Sequence, residues 1–233
     1  MPDLSHLKAL FTPSPESVAK LIEQFQSEIR RGLNGENSSI AMHPSYVSRP
    51  TGREAGEFVA LDLGGSNVRV TVVELAGDGT VRVKRHEIFR LSGFGGEADG
   101  LFDPIAEFMG GVLEEGQCYD LGFIFAFPTE QLGVNRGLLT KWTKEFAFRG
   151  VEGNDVAMLL EQSITRKAAT FQALSSVSVT ALANDTVGVL ATGAYLDPRC
   201  DMGLIVGTGT NMAVAVDRGL VGRSLPPTVG NPD

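Results

Sequence analysis

The sequence predicts an α/β fold, in which apolar strands alternate with helices along the chain. Residues 58–75 (FVALDLGGSNVRVTVVEL) form two apolar runs around a glycine pair, the pattern of two strands joined by a tight turn. Residues 121–128 (LGFIFAFP) are almost continuously apolar and end at a proline, which is typical of a strand buried on both faces. Between such runs, apolar residues recur at helical spacing. With 233 residues, 42% of them hydrophobic, the chain suits one large domain or two small ones.

A helix, a long loop and a three-stranded meander are predicted for the first part of the chain. Ser14 is a candidate N-cap and Pro15 occupies the first turn. The apolar residues that follow at helical spacing predict one buried stripe: Val18, Leu21, Ile22, Phe25 and Ile29. Residues 34–57 lack a period and form a loop. A third strand over about 80–91 completes an antiparallel meander with the strand pair at 58–75.

Helices and strands then alternate as far as about residue 216, after a glycine-rich turn at 93–96. The later elements are, in order, a helix over 101–112, the strand at 121–128, a helix from Asn154 or Asp155 to about 164, a strand over 177–183, a helix from Asn184-Asp185-Thr186 to about 195, and a hairpin over 202–216.

The charge balance and the cysteine count exclude several classes of protein. Twenty Lys and Arg against 28 Asp and Glu give a net charge of −8, which lacks the basic footprint of nucleic-acid binding. The two cysteines, Cys118 and Cys200, form neither a disulfide framework nor a metal cluster. The N-terminus lacks the pattern of a secretory signal, and no run approaches the roughly 18 apolar residues of a membrane span. We therefore expect a cytoplasmic protein without nucleic-acid or membrane partners.

Two glycine-rich turns share one design, an apolar strand on each side and a hydroxyl residue followed by asparagine. They are Gly64-Gly65-Ser66-Asn67 and Gly207-Thr208-Gly209-Thr210-Asn211. Glycine lets backbone N–H groups approach phosphate oxygens closely, and Ser or Thr adds a donor. A plain hairpin turn also favours glycine, because it needs a positive φ. Neither turn is a Walker A or Rossmann sequence, so each turn by itself leaves both interpretations open.

Asp62 adds a carboxylate inside the strand that precedes the first glycine turn. An unpaired carboxylate in a strand is costly, so Asp62 needs a cation, a hydrogen-bond donor or a magnesium-bound water. Two interpretations follow: a carboxylate on the magnesium side of a phosphate site, or a structural ion pair with Arg69 across the hairpin.

Six segments occur in the order in which eukaryotic-type hexokinases carry closely similar ones: LDLGGSNVRV, LGFIFAFPTEQ, KWTKEF, VEGNDV, NDTVG and GLIVGTGTN. They run from about residue 40 to about residue 214, roughly three-quarters of the chain. The chain resembles the N-terminal half of a hexokinase or glucokinase. This resemblance implies the ribonuclease H-like fold of the actin-like ATPases, with a mixed central sheet flanked by helices. It further implies a helix and loop of the large lobe over 1–56, a small lobe over 57–185, and an incomplete second lobe over 186–233.

The resemblance also implies roles for matching residues in ATP-dependent phosphorylation of a hexose, with glucose as the expected acceptor. Asp185 is the expected catalytic base, with a plain helix N-cap as the alternative. Hexose contacts are implied for Phe127, Thr143, Lys144, Asn184, Asp185 and Asn211. ATP contacts are implied for Asp62, Gly65, Ser66, Asn67 and Arg69 in the first turn and for Gly207, Thr208, Gly209 and Thr210 in the second. Asp62 is the residue expected to address Mg²⁺. The alternative function is a non-catalytic sugar sensor or scaffold on the same fold.

The chain departs from the family pattern at two places. Ala126 stands where the family usually has a serine that contacts sugar. Two further sugar-binding glutamates and the adenosine pocket follow the second phosphate motif in the family, and neither is found here. The resemblance therefore implies a chain that is inactive alone and that associates with itself, or with a chain supplying the other half.

Overall fold

The computed structural model describes Lys8 and residues 10–40, 42–65, 67–207 and 209–223. Ser66 and Thr208, two of the predicted ATP-binding residues, lie outside these ranges. The described chain divides into two compact units, residues 45–215 and residues 8–44 with 216–223. The lobe boundaries predicted at 57 and 185 stay a prediction.

A five-stranded mixed sheet forms the centre of the larger unit. Its strands, in chain order, are β1 (Ala55–Leu63), β2 (Asn67–Ala76), β3 (Val81–Arg90), β5 (Tyr119–Phe125) and β9 (Val177–Ala183). The spatial order is β3-β2-β1-β5-β9. The first three strands are the predicted antiparallel meander, whereas β5 and β9 run parallel to β1. A short parallel pair, β4 (Gly95–Glu97) with β8 (Ala147–Arg149), and a hairpin, β6 (Thr129–Gly133) with β7 (Arg136–Leu139), lie beside this sheet.

Two helices cover one face of the sheet. These are α2 (Ala98–Val112) and α3 (Val156–Lys167), and Asp155 caps α3 by accepting hydrogen bonds from Ala157 and Met158. Alternate residues of the strands point toward them, because side chains of a strand alternate between its two faces. The fully buried core of the unit includes Leu61, Leu63, Leu101, Ile105, Met109, Leu121, Phe123 and Leu160.

The last helix and hairpin pack closely on each other. Helix α4 (Asp185–Leu196) follows β9 directly, and the hairpin consists of β10 (Met202–Val206) and β11 (Thr210–Val214). Gly203 makes this approach possible, because a Cβ there would lie 2.6 Å from the backbone nitrogen of Leu190 and 2.7 Å from the carbonyl oxygen of Thr186. This unit is therefore the mixed, helix-flanked sheet that the resemblance implied.

The smaller unit is built around helix α1 (Pro15–Leu33), which Ser14 caps by accepting a hydrogen bond from the backbone of Ser17. Hydrogen bonds from Ser39 and Ser38 to the Glu28 carboxylate tie the following loop to the helix and lower the pKa of Glu28 to about 2. The prediction of a buried apolar stripe on this helix is wrong. Four of its five members are between 39% and 64% exposed, namely Val18, Leu21, Ile22 and Phe25, and Ile29 is partly buried.

Disulfides and membrane-spanning helices can be examined in the described residues only. Cys118 and Cys200 are both free there. None of the described helices is both long enough and apolar enough to cross a membrane.

Candidate active site

Three parallel strands end together at one edge of the sheet. Leu63 of β1 pairs with Phe125 of β5, and Ile124 of β5 pairs with Ala183 of β9. The backbone of Ala126 continues this alignment by donating a hydrogen bond to the Leu63 carbonyl at 3.2 Å. The carboxyl edge of an α/β sheet is where such folds bind ligands. The residues that follow these three strands are Gly64, Ala126 and Asn184. The first glycine turn, the segment after β5 and the start of α4 therefore lie at the same edge of the sheet.

The start of α4 carries the predicted base. Asn184, and not Asp185, is the N-cap of the helix: its Oδ1 accepts a hydrogen bond from the backbone nitrogen of Thr186. Asp185 is the first helical residue, so the interpretation of Asp185 as a plain N-cap is wrong. Its Oδ1 also accepts from Thr186 N, at 2.8 Å. A negative charge in the first turn is favourable there, because the N-terminal end of a helix is electrically positive.

The second hairpin reaches this helix start through Asn211. The Asn211 side-chain amide donates to Asn184 Oδ1 at 2.7 Å and lies 3.4 Å from Asp185 Oδ1. Three predicted site residues, from two segments about 26 residues apart, are therefore brought into one hydrogen-bonded cluster. Thr210 lies beside Asn211 on β11, pairs with Val206 and is exposed.

The first hairpin places Asp62 directly opposite Arg69, and Arg69 Nη1 donates to Asp62 Oδ2 at 2.8 Å. This is the ion pair that the sequence left open beside the magnesium interpretation. Both side chains keep contact with solvent, at 32% and 41% exposure, so both remain within reach of a ligand. Asn67 begins β2, and its carbonyl accepts a hydrogen bond from the backbone of Gly64. The described residues contain no group of three or more His, Cys, Asp or Glu side chains placed to hold a metal ion.

Three glycines of the two turns are not explained by turn geometry. Among the described residues, Gly64, Gly65 and Gly207 do not have a positive φ. A Cβ added at Gly65 or Gly209 would meet nothing within 4 Å. The plain hairpin interpretation requires glycine for its positive φ, and that requirement is missing here. What glycine still provides at both turns is a bare backbone that a ligand can approach.

The segment that follows β7 presents Thr143 and Lys144. Lys144 has a φ of 58° and Glu145 a φ of 70°, a left-handed conformation that is rare for residues other than glycine. Lys144 Nζ donates to the Ala126 carbonyl at 2.8 Å and lies 5.2 Å from the centre of the Phe127 ring. Lys144 is thereby connected to the sheet edge. Thr143 is exposed, and its carbonyl accepts a hydrogen bond from the backbone of Phe146.

Phe127 and Trp142 belong to the core beneath this segment. Phe127 is 1% exposed and its ring packs edge-on against Trp142, with the ring centres 4.9 Å apart. Trp142 Nε1 donates to the Phe148 carbonyl at 2.9 Å, which satisfies its one polar group. The buried ring of Phe127 packs beneath the Lys144 ammonium group. The ring has no exposed surface for the sugar contact that the resemblance implied.

Sequence reasoning missed Thr186 as a part of this site. Its side chain is 98% buried, and its hydroxyl donates to Asn184 Oδ1 at 3.0 Å. The only sequence signal was its place in the NDTVG segment, where Asn184 and Asp185 drew the attention.

The comparisons with known proteins agree with this architecture. A hexokinase from Schistosoma mansoni, solved as a complex with glucose, superposes with a TM-score of 0.74 at 40% identity, over 85% of this chain and 46% of that one. Hexokinase-3 of Rattus norvegicus is 40% identical over 215 residues, covering 89% of this chain and 22% of the relative. The hexokinase of Kluyveromyces lactis is 36% identical over 222 residues, covering 91% and 44%.

The structural match defines the class first: the chain has the actin-like ATPase fold that the sequence resemblance implied. The sequence model of the hexokinase family then matches residues 3–195. The chain belongs to the hexokinase family. It spans less than half the length of each of the three relatives described above.

Proposed function

We propose that this chain contributes hexose-binding and phosphate-binding residues to a hexokinase that transfers the terminal phosphoryl group of ATP to the 6-hydroxyl of a hexose. The cluster of Asn184, Asp185 and Asn211 at the carboxyl edge of the sheet carries the proposal. A hexose is recognised through hydroxyl groups, which amide and carboxylate side chains are suited to bind. Glucose is the expected acceptor, since the similar Schistosoma mansoni hexokinase was solved with glucose.

Asp185 is the proposed base for this transfer. Its Oδ1 is occupied by donors from Thr186 and Asn211, whereas Oδ2 receives no hydrogen bond from the described part of the chain. Oδ2 is therefore free to accept the proton of the attacking hydroxyl, an effect worth about 10²–10⁴-fold in rate. Lys144 and Thr143 are proposed to bind other hydroxyls of the same sugar, because the hydrogen bond from Lys144 to Ala126 holds their segment at the sheet edge.

The two glycine turns are proposed to bind the phosphates of ATP, which supplies the transferred group when bound. The open space at Gly65 and Gly209 fits this role, because a Cβ added at either position would meet nothing within 4 Å, which leaves room for a phosphate beside the backbone. Asp62 fits a contact to Mg²⁺ made together with ATP, since that ion is usually bound by one or two carboxylates and by substrate phosphates. Arg69 lies next to Asp62 and supplies positive charge for the same phosphates. A cytoplasmic location accords with this substrate set and stays a proposal.

We also propose that the chain associates with a second copy of itself. Met202, Leu204 and Val206 alternate along β10 and are 53%, 52% and 74% exposed, so they form a continuous apolar stripe. The described sheet of β10 and β11 has only two strands, which leaves an edge of each unpaired.

The test separates catalysis from sugar binding. In Asp185→Asn of the complete hexokinase to which this chain contributes, we expect phosphoryl transfer from ATP in a coupled assay to fall at least about 100-fold, while the glucose dissociation constant from calorimetry changes less than about threefold. Asp120→Asn is the matched control, because Asp120 is exposed near the amino end of β5, away from the carboxyl edge. Unchanged turnover in Asp185→Asn would contradict its role as base. Glucose binding without turnover in the complete protein would favour the sugar sensor, and absence of glucose binding there would contradict the proposal as a whole.

A further inference from the structure

We infer that Thr186 is a positioning residue, which fixes the Asn184 side chain so that its amide nitrogen faces the ligand as a hydrogen-bond donor. The ligand part of this inference rests on the proposed function, whereas the orientation of Asn184 follows from contacts within the chain.

The backbone N–H of Met212 fixes the orientation of the Asn211 amide, because an N–H group can only donate a hydrogen bond. The backbone nitrogen of Met212 donates to Asn211 Oδ1 at 2.9 Å, so the oxygen of the Asn211 amide faces its own strand. The Asn211 nitrogen must then point the other way, and it lies 2.7 Å from Asn184 Oδ1. Because an amide nitrogen donates and does not accept, the atom of Asn184 that faces Asn211 is its oxygen.

Thr186 locks the same oxygen from the other side. Its hydroxyl lies 3.0 Å from Asn184 Oδ1, and its backbone nitrogen lies 3.3 Å from the same atom. The Thr186 side chain is only 2% exposed, so its hydroxyl has no competing bond to bulk water. The carbonyl oxygen of Asn184 is thus held by three donors, which exhausts the two lone pairs of a carbonyl oxygen.

The nitrogen of Asn184 is left for the ligand. Within the described ranges, Asn184 Nδ2 donates to no protein acceptor, and no side-chain polar atom there is fully buried without a partner. Asn184 Nδ2 is therefore not completely buried; it lies at the carboxyl edge, beside Asp185, and offers two N–H donors. A ligand oxygen that binds here is held by an amide whose direction is already set, which lowers the entropy lost on binding.

Thr186→Val removes the hydroxyl and nearly preserves the volume, and Thr186→Ser restores the hydroxyl. We expect the glucose dissociation constant to rise about fivefold to tenfold in Thr186→Val and to stay within about twofold in Thr186→Ser. Where turnover is measurable, KM rises while kcat changes less than about threefold, because the base itself is untouched. Ser163→Ala is the matched control: Ser163 is, with Thr186, one of the two buried serine or threonine residues among the described ones, and it accepts a hydrogen bond from Arg166 on α3, away from the site.

The side-chain amide resonances of Asn184 provide a readout that does not depend on sugar. We expect them to shift and broaden in Thr186→Val and to return in Thr186→Ser. Equal glucose affinity in the unmodified chain and in Thr186→Val would overturn the inference and leave the proposed function standing. If the unmodified chain binds no glucose, the proposed function fails; the resonances then decide alone, and an unchanged Asn184 amide in Thr186→Val overturns the positioning role.

Discussion

The carboxylate of Asp62 has two uses that a single substitution can separate. A partly exposed ion pair contributes little to stability, because solvent screens it. A carboxylate that addresses Mg²⁺ beside bound nucleotide contributes mainly to nucleotide affinity. The structure contains the ion pair with Arg69, at 2.8 Å. The contact of Asp62 with Mg²⁺ remains a separate proposal.

We therefore predict that Asp62→Asn lowers the free energy of unfolding by less than about 1 kcal/mol. The same substitution should weaken Mg²⁺-dependent ATP binding at least about tenfold, because a charge-assisted contact is worth about 1.5–3 kcal/mol. Urea denaturation and nucleotide titration with and without Mg²⁺ measure the two effects. A purely structural Asp62 would give the stability change alone. Glu74→Gln is the control, since Glu74 of β2 forms an ion pair with Arg82 of β3, farther from the first glycine turn but in the same antiparallel meander.

Single residues also show where sequence reasoning ends. Asn184, Asp185 and Asn211 were found through their motifs, and the structure joins them by hydrogen bonds. Thr186 was not found, because its role depends on burial and on the direction of its hydroxyl, which no spacing reveals. The absence of positive φ at Gly64 and Gly65 is likewise a three-dimensional fact, and it is what separates the two interpretations of the first turn.

At the scale of elements, two glycines of the last hairpin have opposite reasons to be glycine. Gly203 is required by packing, because its Cβ would fall within 2.7 Å of the α4 backbone. Gly209 has open space around it, since a Cβ there would meet nothing within 4 Å.

We predict that Gly203→Ala lowers the free energy of unfolding by about 1–3 kcal/mol, as overpacking of a rigid contact does. It should also weaken glucose binding, since the displaced hairpin carries Asn211 away from Asn184. Gly209→Ala should leave the unfolding free energy within about 0.5 kcal/mol and weaken ATP binding instead. Thermal denaturation with parallel glucose and ATP titrations tests the pair. Equal behaviour of the two variants would contradict the assignment of Gly209 to phosphate.

Helices α2 and α3 are joined by a network of charges with a predictable response to pH. Burial raises the pKa of Asp103, but hydrogen bonds with Arg166, Ser163 and Lys167 together outweigh burial and lower it. A carboxyl with a lowered pKa stabilises the fold above its unfolded pKa of about 3.9, and this stabilisation is lost as the pH falls through the lowered value.

Asp103→Asn should therefore reduce the free energy of unfolding by about 1 kcal/mol at neutral pH, and by progressively less below about pH 4. Chemical denaturation over a pH series measures this difference. Asp99→Asn is the matched control: Asp99 also bonds Arg166, at 2.7 Å, but is 70% exposed, so its effect should be smaller at every pH. A cost of Asp103→Asn that does not depend on pH would contradict the charge network.

The elements themselves were largely predictable. The β9 strand, the meander and the final hairpin follow from apolar periodicity and glycine turns, and the α3 cap is one of the two residues named for it. The β6–β7 hairpin was missed, because its strands are only five and four residues long and carry no regular apolar alternation. The short β4 strand likewise follows from pairing with β8, about 50 residues away, so residues 93–96 are more than the predicted turn.

At the scale of the whole molecule, periodicity predicted which residues are apolar but not which become buried. The stripe on α1 is a regular amphipathic face, yet Leu21 and Ile22 are more than half exposed. The same holds for β10, where Gly203 faces α4 while Leu204 and Val206 face outward. Amphipathic periodicity predicts that a helix or strand has an apolar face. Which other element, or which other chain, covers that face is set by tertiary or quaternary structure.

The apolar stripe on β10 leads to a prediction about association. We expect sedimentation velocity to show a concentration-dependent dimer, because contiguous exposed apolar surface of this kind marks an interaction site. Leu204→Lys combined with Val206→Lys should abolish the dimer and reduce binding of a hydrophobic dye, since each lysine places a charge in the interface. Val83→Lys is the matched control, because Val83 is 58% exposed on β3, in a different sheet. A monomer at every concentration would contradict self-association, and equal loss of the dimer in Val83→Lys would move the interface from β10 to the edge of the large sheet.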